Sequence, residues 1–113
     1  MARLVWTEPA LHDLNEIAEY IALDNFDAAR KLIRKVFKTI EKLEDFPKSG
    51  RCPPELNGTQ YREIVCSPCR IFYRLESDNI FILYVMRGER ELQKFLLEER
   101  KTRANKQIQQ NGG

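Results

Sequence analysis

The chain has 113 residues, 42 % of them apolar and 32 % charged, with a formal net charge of +2. That length holds one core and not two, the composition is that of a folded domain rather than a disordered chain, and no apolar run approaches the ~20 residues of a membrane-spanning helix. Three cysteines in a chain able to build its own core argue against a disulfide framework and for a reducing, cytoplasmic setting.

In chain order, Arg3–Trp6 reads as a first strand. Thr7, Glu8 and Pro9 suit a helix start, as N-cap, first-turn acid and proline. Leu11, Leu14, Ile17 or Ala18, and Ile21 then recur at helical spacing, which predicts a helix over about 8–23. Asp24-Asn25 breaks the pattern and caps a second helix, whose apolar stripe is Ala29, Leu32, Ile33, Val36, Phe37, Ile40 and Leu43. Arg30, Lys31, Arg34, Lys35 and Lys38 fall on its other side. So short a break predicts an antiparallel helical hairpin.

Phe46-Pro47-Lys48-Ser49-Gly50 stops the second helix, and Arg51–Gly58 is an extended loop. The period then changes to two. Tyr61–Cys66 and Cys69–Glu76 alternate on either side of the turn Ser67-Pro68, and Ile80–Met86 reads as a buried central strand. These form an antiparallel meander with the helical hairpin on one face. Glu91–Arg103 has helical composition, with Leu92, Phe95 and Leu96 as its apolar stripe. Residues 1–104 therefore read as one α+β domain, and 105–113 as a polar, disordered tail.

Candidate chemistry is sparse. Cys66 and Cys69 have a two-residue spacing, but a zinc site needs further ligands and only Cys52 and His12 remain. They read as turn-flanking thiols, and no metal or cofactor is expected. His12 has no nucleophile partner in the sequence. There is no glycine-rich phosphate loop and no paired-carboxylate signature. Residues 87–113 hold 7 basic and 4 acidic side chains, too slight a bias for a dedicated nucleic-acid binder. The arginines of the strands carry more information. Arg70 and Arg74 share a face with Phe72, which Arg62 joins in a suitable register, and Arg87 and Arg90 follow the central strand. Fixed guanidinium forks suit phosphate or carboxylate groups; the competing reading is ion pairing with Glu63, Glu76 and Glu89.

The order and spacing of several segments resemble toxins of the RelE/ParE superfamily of bacterial type II toxin–antitoxin modules. The segments are Trp6-Thr7-Glu8-Pro9-Ala10 with Asp13-Leu14 and Ile17, then Leu43 and Phe46-Pro47-Lys48-Ser49-Gly50-Arg51. Tyr61-Arg62-Glu63, Arg70-Ile71-Phe72-Tyr73-Arg74, and Ile80-Phe81-Ile82-Leu83-Tyr84-Val85 closing on Arg87-Gly88-Glu89-Arg90 complete the set. The resemblance implies an N-terminal strand and helical hairpin on a small antiparallel sheet, with a short C-terminal helix. It also implies a cognate antitoxin that neutralises the chain, with operator DNA met only through that antitoxin and no membrane.

RelE-like members of the superfamily cut messenger RNA in the ribosomal A site, whereas ParE-like members poison DNA gyrase. An RNA-cleaving site needs a proton-transfer group beside its cations, and after Tyr84 this chain has neither Tyr nor His. The resemblance therefore favours the ParE-like branch, a gyrase inhibitor with no catalytic residues. Its alternative is a ribosome-dependent nuclease using Arg62, Arg70 and Arg87. On the favoured reading Arg70, Phe72 and Arg74 meet the antitoxin, and Arg87, Arg90, Arg34 and Lys38 meet the target.

Overall fold

Four strands and three helices build the chain in the computed structural model, which describes residues 2–88 and 90–111, the side chains of Phe95 and 105–111 excepted. β1 (Arg3–Trp6) passes through Thr7 into α1 (Glu8–Ala22). Thr7 holds the N-cap position in extended conformation, but its hydroxyl does not cap the helix. It donates instead to the Ile82 carbonyl at 2.6 Å, tying the start of α1 to the sheet. α2 (Phe26–Glu41) begins at Asn25, whose side chain accepts from the Ala28 N–H at 3.0 Å.

The strands β2 (Tyr61–Cys66), β3 (Cys69–Glu76) and β4 (Asn79–Arg87) form the expected antiparallel meander. β1 adds to it in parallel, along β4, so the sheet is mixed with order β1-β4-β3-β2. β4 is thus central, which explains why its sequence is apolar on both faces.

Each face of the sheet carries its own cluster. Under the α1–α2 hairpin lie Leu14, Val36, Ile40, Leu43, Ile71, Tyr73, Ile80 and Ile82. On the opposite face lie Leu56, Tyr61, Phe72, Phe81, Leu83 and Met86, covered by α3 (Lys94–Asn111) through Leu97 and Ala104. Leu97 is buried while Leu92 and Leu96 are only half-buried, so the stripe expected from composition is shifted along the helix. The helical backbone also runs past residue 104, to Asn111, where the polar composition suggested a disordered tail.

Two local features fix the geometry around the site. Gly50 stands against the Tyr73 ring: a Cβ there would meet Tyr73 Cε1 and Oη at 2.6 Å and the Glu63 carbonyl at 2.9 Å. That close approach lets the Tyr73 hydroxyl accept from the Gly50 N–H at 2.9 Å and donate to the Pro47 carbonyl at 2.8 Å. The Phe-Pro…Gly segment is thereby pinned to β3.

The second feature is a register shift. Phe72 faces Tyr84 but Tyr73 faces Ile82, leaving Leu83 as the extra residue of a bulge on β4. Past Trp6, β4 also runs on without β1 beside it. There the Val85 N–H donates to Asp13 at 3.1 Å, and Arg100 donates to the Leu83 carbonyl at 3.0 Å. Arg100 and Asp13 pair with each other at 2.6 Å, so one ion pair joins α1, β4 and α3.

Candidate functional site

The strand arginines divide between the two faces of the sheet. Tyr61 faces Arg74 and Glu63 faces Phe72, whereas Arg62 faces Tyr73. By alternation Arg70 and Arg74 lie with Phe72 on the α3 side, and Arg62 lies on the helical-hairpin side. Arg62 therefore does not join them. It donates to the Lys48 and Gly50 carbonyls at 3.0 and 2.8 Å, clamping the turn after α2.

Arg70 is enclosed by carboxylates. Its two terminal nitrogens take Glu55 at 2.7 and 2.8 Å, and Nε takes Glu63 at 2.7 Å. The Glu63 side chain is fully buried and also receives Arg51 Nε at 2.8 Å. Hydrogen bonds from Arg70 draw the Glu55 carboxyl down to about 2, against an opposing effect of burial. The Arg70 guanidinium also lies 5.0 Å from the Phe72 ring centroid. Arg74 pairs with Glu76 at 2.9 Å and with Gln60 at 2.8 Å. The competing reading of these arginines as ion-paired holds for both, across strands from Arg70 to Glu63 and along β3 from Arg74 to Glu76.

Phe72 is wholly buried, contrary to the expectation of an open docking face. α3 supplies the cover, and Phe72 packs edge-on to Tyr84 at 6.0 Å. Tyr61, on the same face, donates to Glu98 of α3 at 2.8 Å. Burial first, and then the Glu98 carboxylate, push its phenol above the ordinary range. Sequence reasoning missed Asp13 and Arg100 as organisers of this region. They are 87 positions apart and nothing local marks the pair.

Arg87 and Arg90 sit elsewhere, in a cleft of about 540 Å³ between α1 and the end of β4, with Asp13, Glu16, Tyr20 and Tyr84. The Arg87 guanidinium lies 5.2 Å from the Tyr20 ring centroid. Tyr84 reaches the same cleft, and burial, with a smaller contribution from Asp13, raises its phenol above the ordinary value. The proposed nuclease trio does not converge. Arg70 faces α3, Arg62 and Arg87 face the other way, and those two lie on opposite sides of β3, opposite Tyr73 and Cys69, which are roughly 13 Å apart along the strand.

Arg34 and Lys38 stand in full solvent on α2, with Arg30, Lys31 and Lys35 beside them. Among the described residues, none of these five meets a carboxylate within ion-pair distance. Cys66 and Cys69 are buried, face each other across the hairpin turn and form no disulfide, and Cys52 is exposed. His12 is an exposed helix residue 3.8 Å from Glu16.

The family model for the ParE toxin of the type II toxin–antitoxin system parDE matches residues 4–92. The chain belongs to the ParE toxin family. It is 34 % identical over 89 residues to the Sinorhizobium fredii protein named "Putative toxin Y4kP", covering 79 % of this chain and 91 % of that one. A chain of the structure described as the chromosomal ParDE TA system from P. aeruginosa superposes with a TM-score of 0.66. It shares 25 % identity, over 79 % of this chain and 98 % of the other. The ParE match ends at residue 92, before α3 begins at Lys94, so the helix that covers Phe72 lies beyond the matched segment.

Proposed function

We propose that this ParE-family toxin arrests growth by inhibiting DNA gyrase in the bacterial cytoplasm, without RNA cleavage, and that a cognate antitoxin neutralises it. One observation carries the choice between gyrase and RNA: the strand arginines are already engaged. Arg70 is held by Glu55 and Glu63, and Arg62 by two backbone carbonyls. A phosphate entering there would have to displace charge-assisted bonds, each of which contributes more than a neutral one. Family membership supports the antitoxin partnership, and operator DNA is then met through the antitoxin.

The RelE-like alternative has one observation in its favour, the presence of Tyr84 in a single cleft with Arg87 and Arg90. The deciding experiment assays the purified chain against gyrase supercoiling and against messenger RNA on programmed ribosomes. Gyrase inhibition with intact RNA is the expected result. Codon-specific cuts with gyrase unaffected would overturn it and make the Tyr84 cleft the site to mutate.

A further inference from the structure

We infer that the outward face of α2, together with the exposed tip of the helical hairpin, is the surface through which this toxin grips its target, and that the target presents an apolar recess beside a run of carboxylates. The inference rests on the proposed reading of the chain as a target-binding toxin, and goes beyond it by naming the surface and its chemistry.

Two observations meet at this surface. At the tip, where the chain turns from α1 into α2, Leu23 is 86 % exposed and Phe26 66 % exposed. From Phe26 a row at helical spacing continues through Arg30, Arg34 and Lys38, with Lys31 and Lys35 alongside. The row extends roughly 18 Å at the rise of an α-helix. Among the described residues its five cations meet no carboxylate within ion-pair distance, and they repel one another: Arg30 with Arg34, Lys31 with Lys35, and Arg34 with Lys38 are all four residues apart. A surface serving solubility alone intersperses the two signs. Here an acidic surface would relieve the repulsion, and Leu23 and Phe26 would then supply the buried anchors that charged rims lack.

The same elements argue against a nucleic acid in this place. Asp27 sits in the first turn of α2, where a phosphate would otherwise be welcomed. The outward face of the adjacent α1 carries Glu8, Glu16 and Glu19, all exposed. A long polyanion laid across the hairpin would meet both. The acidic cleft residues Asp13 and Glu16 also make the Arg87–Arg90 end a poorer match for a carboxylate-bearing partner.

The test uses the full chain and exposed positions, so folding is preserved. Arg34→Glu with Lys38→Glu reverses the charge, Leu23→Asp with Phe26→Ser removes the anchors, and Arg3→Glu with Lys48→Glu makes the same charge change away from α2. Each is read by growth arrest on induction and by inhibition of supercoiling by purified gyrase, with thermal melting as the fold check. Both α2-side variants are expected to need about tenfold more protein for either effect, a hot-spot-sized loss, while the distant variant matches the parent. Parental potency in both α2-side variants would overturn the inference. Loss in the charge variant alone, with Leu23→Asp/Phe26→Ser silent, would also overturn it and point to nucleic acid. If growth arrest follows the expected pattern while gyrase is untouched by the parent chain, the surface stands and only the gyrase reading falls.

Discussion

Arg70 and Arg34 carry the same guanidinium, yet the first is boxed between Glu55 and Glu63 on β3 and the second extends from α2 into solvent. The difference is one of neighbours. β2, β3 and the Arg51–Gly58 loop converge on a buried carboxylate, so any cation nearby is recruited to neutralise it. α2 buries one stripe of apolar residues and leaves the rest of its circumference to water, and among the described residues no carboxylate comes within ion-pair distance of Arg30, Lys31, Arg34, Lys35 or Lys38. Buried cations hold the fold together, and cations left without partners remain available for something outside it.

That contrast yields predictions of decreasing size. Glu63→Ala leaves Arg70 confined without its buried partner and frees Arg51; chemical denaturation should show a loss of about 3 kcal/mol. A change below ~1 kcal/mol would mean the network is replaceable by water. Asp13→Ala removes the acceptor of both Arg100 and the Val85 N–H. The expected cost is about 2 kcal/mol, with amide exchange in residues 94–104 accelerating more than in β3. Uniform acceleration would show that the Asp13–Arg100 pair serves the whole domain and not α3 in particular.

Glu55 gives a pH-dependent effect. Its folded pKa is lowered from 4.5 to about 2, so its contribution to stability is complete above pH 4.5 and is lost as pH falls toward 2. Glu55→Gln should therefore shrink the acid-induced loss of stability across that window and leave its shape above pH 5 unchanged. An identical acid profile in the variant would place the titrating group elsewhere. The smallest effect belongs to the other cation set. Arg34→Ala should change stability by less than about 0.5 kcal/mol, in the stabilising direction if repulsion with Arg30 and Lys38 outweighs lost stem packing. A large loss would show that α2's bases are structural after all.

Much of this organisation is visible in the chain itself. The period of two through Cys69–Glu76 assigns Ile71 and Tyr73 to one face and Phe72 to the other, and the structure agrees. The even apolarity of Ile80–Met86 marks a central strand because both of its faces are covered. The parallel pairing of β1 is not legible, since four residues carry no mark of their neighbour. The bulge at Leu83 is equally hidden: it moves Tyr84 to the α3 side without any glycine or proline to announce it. The partner of Arg70 at Glu55 is set by how the Arg51–Gly58 loop folds back, which local pattern does not specify. The burial of Phe72 is hidden for a related reason. Among its described side chains α3 buries Leu97 and Ala104 against the sheet, and so polar a helix does not advertise that it will cover anything.

α3 also has a thermodynamic consequence, because it is a ligand of the sheet that happens to be covalently attached. A segment joined to its own binding face by the few residues between β4 and Lys94 sits there at an effective concentration of roughly millimolar or above. Any free molecule suited to Phe72, Phe81 and Leu83 must compete with that standing occupant. Its apparent affinity falls in proportion to the fraction of time the helix is undocked. Loosening Arg100 or Asp13 would then act as a gain control on the face beneath, altering access to it without changing a single atom that lines it.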